Sequence, residues 1–300
     1  MDSDRRLRYG DIGKEPMSYL EPINGGPLCT SETNWTALPP ILKPLNPCNE
    51  GGYGNLPLMS LEVAVEYLKP MIVTIPRDVW VAKENCQHLH DHLTQDESAA
   101  IHLYTMGSVF QHLNDVLRSK NRAKVLVPWL PYLKLLLTAL CKLPAVKKTV
   151  WRGTSLDLST EYKPGDRCVW WGFSSCTETI AVADFYLGES GFRTLFCIEC
   201  ENGRLIRPHS QFDHENEILL LPGFYFQVVD KTERNDFPII HLKEIQPLHP
   251  LLESPFSPTE SADNQTNSTL NIDGYISMKQ NAPTYETDGE RCPIFYVVSC

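Results

Sequence analysis

Three hundred residues with 42% hydrophobic content can bury a substantial core in one or two domains. A formal net charge of −10 with no basic stripe excludes a surface built to neutralise nucleic-acid phosphates. The longest apolar stretch, Val125 to Leu140, is interrupted by Pro128, Pro131 and Lys134 and is too short to span a bilayer. The first twenty residues hold Arg5, Arg6, Arg8, Asp11 and Lys14 without an apolar run, so no signal peptide is expected and cytoplasmic residence is the default. Ten cysteines in such a chain read as buried thiols rather than a disulfide framework.

Residues 1–57 are rich in Pro, Gly and Asn, lack periodicity, and read as a loosely ordered lead-in. Thr94 with Glu97 predicts a capping box, and Ile101, Thr105, Val109, Leu113 and Val116 continue it as one amphipathic helix. A second helix, apolar almost all round and hence buried, is predicted from Pro131 to Lys142. After Pro144 come short runs of β-branched and aromatic residues. Thr149–Arg152, Arg167–Ser174, Thr194–Cys200, Glu217–Leu221, Phe224–Val229 and Ile239–Ile245 are the predicted strands. Helices followed by strands make residues 58–250 an α+β body. Residues 251–300 are polar, set seven acidic side chains against Lys279 and Arg291, and read as an acidic, disordered tail. Tyr275-Ile276-Ser277-Met278 matches a short phosphotyrosine-ligand pattern of little specificity.

Some constellations carry no chemistry. Cys197 and Cys200 form a C-x-x-C inside a predicted strand, where residues three apart face opposite sides, so neither zinc nor redox work is expected. His88, His90 and His92 alternate without an accompanying ligand set, and no metal is expected. No G-x-G-x-x-G follows a predicted strand and no G-x-S-x-G occurs, which removes a Rossmann nucleotide site and a nucleophile elbow.

The chemical centre is instead Phe212-Asp213-His214-Glu215-Asn216-Glu217, at the mouth of the apolar run Ile218 to Leu221. In an extended segment Glu215 and Glu217 share one face, while Ile218 and Leu220 face the core. Upstream, Val150-Trp151-Arg152-Gly153-Thr154 reads as a strand ending in an arginine and a glycine. Trp171-Gly172-Phe173-Ser174-Ser175-Cys176-Thr177 reads as a strand ending in hydroxyls. The order arginine, Phe-x-Ser-x-Thr, Glu-x-Glu resembles the arginine-specific mono-ADP-ribosyltransferases. The likeness extends to Glu97–Thr105, to Ala183-Asp184-Phe185 and to Thr194-Leu195-Phe196, covering roughly residues 85 to 247.

The resemblance implies a split-sheet core with a central NAD cleft and transfer of ADP-ribose to an arginine side chain, releasing nicotinamide. Glu217 matches the catalytic glutamate, and Glu215 and Phe212 match the acceptor-recognition turn. Arg152 matches the arginine that holds the NAD phosphates. Gly153 matches a close backbone approach to the nicotinamide, Ser175 the serine that orients the catalytic glutamate, and Phe185 a nicotinamide-lining aromatic. Cys176 stands between the two hydroxyls of the serine motif and Ser174 adds another, so Ser174 and Ser175 both remain candidates for the orienting role. The implied substrates are NAD, with NADP as a further donor, and an arginine-bearing protein or small guanidino compound, with neither nucleic acid nor membrane as partner. An NAD glycohydrolase and a catalytically silent NAD- or partner-binding module are the competing readings.

Overall fold

The computed structural model describes residue 53 and residues 56–256, without 120, 188–190, 214–215, 235–236, 249–250 and 253, and without the side chains of 123 and 184–186. Contacts divide the chain into Met1–Pro258 and Thr259–Cys300, and the second unit lies wholly outside the described residues, as do the Tyr275 motif and most of the expected lead-in.

The N-terminal half is helical. It runs through α1 (Leu61–Ala64), α2 (Ile75–Asn85), α3 (Gln95–Thr105), α4 (Phe110–Arg118), α5 (Arg122–Val125) and α6 (Leu130–Lys142). The expected capping box opens α3. Thr94 Oγ1 accepts the Glu97 amide at 3.3 Å and Glu97 Oε2 accepts the Thr94 amide at 2.9 Å, satisfying two amides that a helix start leaves without partners. The single helix expected to run on to Val116 is instead broken in two. Met106 adopts an extended backbone (ψ 123°), Gly107 and Ser108 turn the chain, and α4 restarts with Phe110, Leu113 and Leu117 buried. Helix α6 fits its reading: every residue from Leu130 to Leu140 is buried, with Pro131 tolerated in the first turn.

The C-terminal half adds β1 (Ala145–Thr154), β2 (Arg167–Trp170), β3 (Ser174–Thr177), α7 (Ile180–Leu187), β4 (Thr194–Leu205), β5 (Glu217–Leu220), β6 (Phe224–Arg234) and β7 (Phe237–Glu244). The strand order is β1-β3-β5-β4-β7-β6-β2, and β1 also pairs with β4, so β1, β3, β5 and β4 form a closed circuit. Among the described strand pairs only β4–β7 is parallel. The strand expected over Arg167–Ser174 is two strands with different neighbours, β2 on β6 and β3 on β5. The break at Trp171–Phe173 has a local cause. The Asn114 side chain accepts the Phe173 amide at 2.9 Å and donates to its carbonyl at 3.2 Å, taking both ladder groups of that residue.

One core cluster lies among the helices and reaches Phe173 and Leu219, a second lies within the strands around Trp170, Phe196, Ile218 and Phe226, and a third seats α7 on Leu195 and Ile239. Packing runs past residue 250. Leu251 is buried, and the Lys134 ammonium of α6 donates to the Pro255 carbonyl.

Candidate active site

Strands β3 and β5 are only four residues each, yet their register decides which side chains meet. Trp151 of β1 pairs with Thr177, and Thr177 with Glu217. Directly opposed residues of an antiparallel pair share a face, so Trp151, Thr177 and Glu217 stand in one row. Ser175, two residues from Thr177, is on that same face, diagonal to Glu217. Ser174 pairs with Leu220 and, like Cys176, points the other way. The register therefore puts Ser175 on the side of Glu217. Both are fully buried, and the Ser175 hydroxyl has no hydrogen-bond partner among the described residues.

Arg152 projects to the opposite side of β1, next to Cys176. Its guanidinium is completely buried and Nη1 donates to the Ser175 carbonyl at 2.6 Å, so the arginine ties β1 to the strand that carries the hydroxyls. Burial pushes the Cys176 thiol far above the ordinary thiol range. Arg152 opposes that shift, while Cys200 and Glu217 add to it. A thiol so held is not a nucleophile. Gly153 faces α7: a Cβ there would lie 2.7 Å from Cγ and Cδ2 of Leu187 and 3.2 Å from the Ala183 carbonyl. The glycine is required by helix packing. Phe185 belongs to the same helix, with its side chain outside the described residues, and Glu215 lies outside them altogether.

The segment leading to Glu217 is pinned on both flanks. The Gln211 amide donates to Thr105 Oγ1 at 2.8 Å, the Gln211 side chain meets His102 Nε2 at 2.9 Å, and Ser98 Oγ meets His209 Nδ1 at 2.9 Å, all from α3. His209 Nε2 continues to Asp91 at 3.1 Å. Arg207 closes the other flank, with Nε on the Asp213 carbonyl at 2.7 Å and Nη1 on Asn216 Oδ1 at 3.1 Å, which brackets residues 214 and 215. Phe212 is buried, with its amide on Ser210 Oγ at 3.1 Å.

Several of these residues escape a reading by motif. Ser98 and His102 lie more than a hundred positions before Arg207 and His209, and the four gain meaning only when the turn is docked on α3. Arg118 and Arg122 do so too. Both are nearly buried beside the Trp171–Phe173 bend, Arg122 over the Trp171 ring at 3.9 Å and Arg118 so near Gly172 that a Cβ there would meet its Nε and Nη2 at 3.2 Å. Asn114 and Arg118, four residues apart, share one face of α4, whereas Arg122 lies beyond its end, at the start of α5. No group of three or more His, Cys, Asp or Glu suited to a metal occurs among the described residues, and no helix among them is long and apolar enough to cross a membrane.

Comparison with known proteins gives a consistent result. A chain of Mycobacterium avium (strain 104), which carries the provisional name NAD(+)–arginine ADP-ribosyltransferase Mav, is 33% identical over 167 residues, 52% of this chain and 19% of that one. This chain thus spans about a fifth of that relative's length. Among solved structures, the eucaryotic mono-ADP-ribosyltransferase ART2.2 has a TM-score of 0.50 at 19% identity, over 63% of this chain and 87% of its own. The Vis toxin of Vibrio splendidus, an ADP-ribosyltransferase, has a TM-score of 0.45 at 21% identity, over 68% and 95%. The family described as NAD:arginine ADP-ribosyltransferase matches residues 62–248, which takes in the arginine strand, the hydroxyl strand and the glutamate strand just described, and the chain belongs to that family.

Proposed function

We propose that this chain is an NAD–protein-arginine mono-ADP-ribosyltransferase, with residues 58–250 as the catalytic body, 1–57 as a lead-in and 251–300 as an acidic tail. The observation that carries the reading is the buried Glu217 carboxylate on one face with Thr177 and with a Ser175 hydroxyl that lacks a partner among the described residues. A buried hydroxyl of this kind costs stability unless something completes it, and a bound nucleotide beside the glutamate is a suitable completion. Cleavage of the nicotinamide–ribose bond sends the bonding electrons out with nicotinamide and leaves an oxocarbenium-like ribose. Glu217 stabilises that charge, which exists mainly in the transition state. Ser175 orients the carboxylate, and Arg152 holds Ser175 through its carbonyl. Phe212 and Glu215 meet the acceptor guanidinium, whose attacking nitrogen loses its proton to Glu215. Gly153 and Phe185 border the nicotinamide side. Arg118 and Arg122 supply positive charge for the diphosphate. NADP as a further donor and cytoplasmic residence belong to the same reading, the latter supported by six free thiols among the described cysteines.

The test follows nicotinamide release and ADP-ribosyl-agmatine formation from NAD. Glu217→Gln is expected to lower both by about 10²- to 10⁴-fold, or about 3 to 5 kcal/mol of transition-state stabilisation. Glu215→Gln is expected to lose transfer while keeping part of the nicotinamide release. Nicotinamide release without adduct from the unmodified chain would make it a glycohydrolase, and silence on both would favour a binding module.

A further inference from the structure

A cavity of about 390 Å³ opens beside the acceptor turn, apart from the row that holds Glu217. Arg77 and Asp78 from α2, Met106 and Ser108 from the break between α3 and α4, and Gln211 and Phe212 from the turn line it. Its polar centre is unusual. The Asp78 carboxylate is 98% buried, and its Oδ1 accepts from Arg77 Nε at 3.0 Å and Nη2 at 2.9 Å. Arg77 itself is a surface residue, 74% exposed. The buried anion is therefore capped by a side chain that water can solvate without help. Ser108 Oγ, also on this wall, is buried without a hydrogen-bond partner among the described residues.

We propose that this cavity is a second acceptor subsite, which takes the side chain of a lysine or arginine close in sequence to the target arginine. The proposal rests on the transferase reading above and adds that the acceptor is a basic polypeptide segment. An incoming cation would exchange with Arg77 on Asp78, so that the buried carboxylate keeps a cationic partner while the Arg77 head, already 74% exposed, regains its hydration. The stem of the incoming residue would lie on Met106 and Phe212, as long cationic side chains do on apolar walls, and its head would also reach Ser108. Reach sets the spacing. Phe212 and Glu217 are five residues apart, at most about 17 Å along the chain, and an extended peptide advances about 3.3 Å per residue. The second cation thus sits within about five residues of the arginine delivered to Glu217.

The experiment measures kcat/KM for ADP-ribosylation of three acceptors by the full chain: agmatine, a peptide with one arginine among Ala and Ser, and a set of that peptide with lysine moved through the five positions on either side. The unmodified chain is expected to favour at least one lysine position by about 10-fold over the neutral peptide, the size of a modest charge-pair coupling. Asp78→Asn is expected to bring that ratio near one and Arg77→Ala to raise it, with agmatine turnover kept in both. Ser108→Trp, which fills the cavity, is expected to abolish the preference by an independent route should Asp78→Asn fail to fold. A ratio near one at every position, or one that Asp78→Asn and Ser108→Trp leave unchanged, overturns the subsite. Equal loss on agmatine and peptides overturns it too. Absence of adduct on all acceptors refutes the transferase reading itself, and the subsite with it.

Discussion

At the scale of single residues, two neighbours in sequence are separated by the pleat. Ser174 and Ser175 are alike in chemistry and burial, and the motif alone left both open. Pairing with β5 distinguishes them, because only Ser175 shares the face of Glu217 and Thr177. A hydrogen bond formed from the Ser175 hydroxyl to Glu217 in the reacting complex would contribute about 1.5 to 3 kcal/mol, equivalent to about 10- to 100-fold in rate. Ser175→Ala is expected to lose that much kcat with agmatine while Ser174→Ala stays within about two-fold; the reverse order would reassign the orienting hydroxyl. Gly153 offers a separate reading of stability. Since Leu187 fills the space a methyl group would need, Gly153→Ala must shift the Leu187 side chain and press α7 off β1 by a few tenths of an ångström at Ala183. The expected cost is about 1 to 3 kcal/mol, as for overpacking elsewhere in cores, and thermal denaturation checks it. An unchanged Tm would show that α7 yields freely. Arg152 shows what residue type alone conceals: beside the phosphate role that the resemblance implies, its Nη1 donates to the Ser175 carbonyl and ties β1 to the strand that carries the hydroxyls.

At the scale of elements, periodicity served where one face of a helix is buried and failed where a side chain replaced a backbone partner. The α3 capping box and α6 were legible because their determinants are local. The split of β2 from β3 was not, since its cause is Asn114, 59 positions away in sequence. Helices α1 and α2 and helix α7 carried no signal that separated them from loop. Helix α7 is short, and Pro76 lies at the start of α2. The three motif segments were legible, whereas the supports of the turn before Glu217 were not, because Ser98, His102 and Thr105 gain their role only by docking. That docking is sensitive to pH. Burial pushes the His102 and His209 imidazoles below the ordinary 6.5, against smaller opposing pulls from Gln211 and Asp91. Below pH 6.5 the unfolded chain takes up these protons more readily than the folded one, so stability is full above 6.5 and is lost as the pH falls toward the folded values. The Tm should fall from pH 7 to pH 5, and His209→Gln should flatten that slope. An unaltered slope in the variant would place the acid sensitivity elsewhere.

At the scale of the whole molecule, the first residues of the expected tail pack onto the body. Residues 251–256 read as the start of a polar tail, yet Leu251 is 3% exposed and the Pro255 carbonyl accepts from a buried lysine of α6. Removing everything after Pro258 should leave the Tm unchanged, whereas ending the chain at residue 248 should lower it, since the buried leucine and the bond to a charged group each contribute about 1.5 to 3 kcal/mol. Equal Tm values for the two truncations would return the boundary to residue 250. The circular pairing of β1, β3, β5 and β4 has a further consequence. Within that circuit each strand has two neighbours, but β1 meets β3 at the single pair Trp151–Thr177, so among the described residues the run of β1 before Trp151 is paired on the β4 side alone. Among the described strands, the terminal position of the sheet falls to β2, only four residues long, paired on one side with β6. Strand addition can begin at β2, at the start of β1 or on β6 beyond Val228, whereas β5, which bears Glu217, is flanked by β3 and β4.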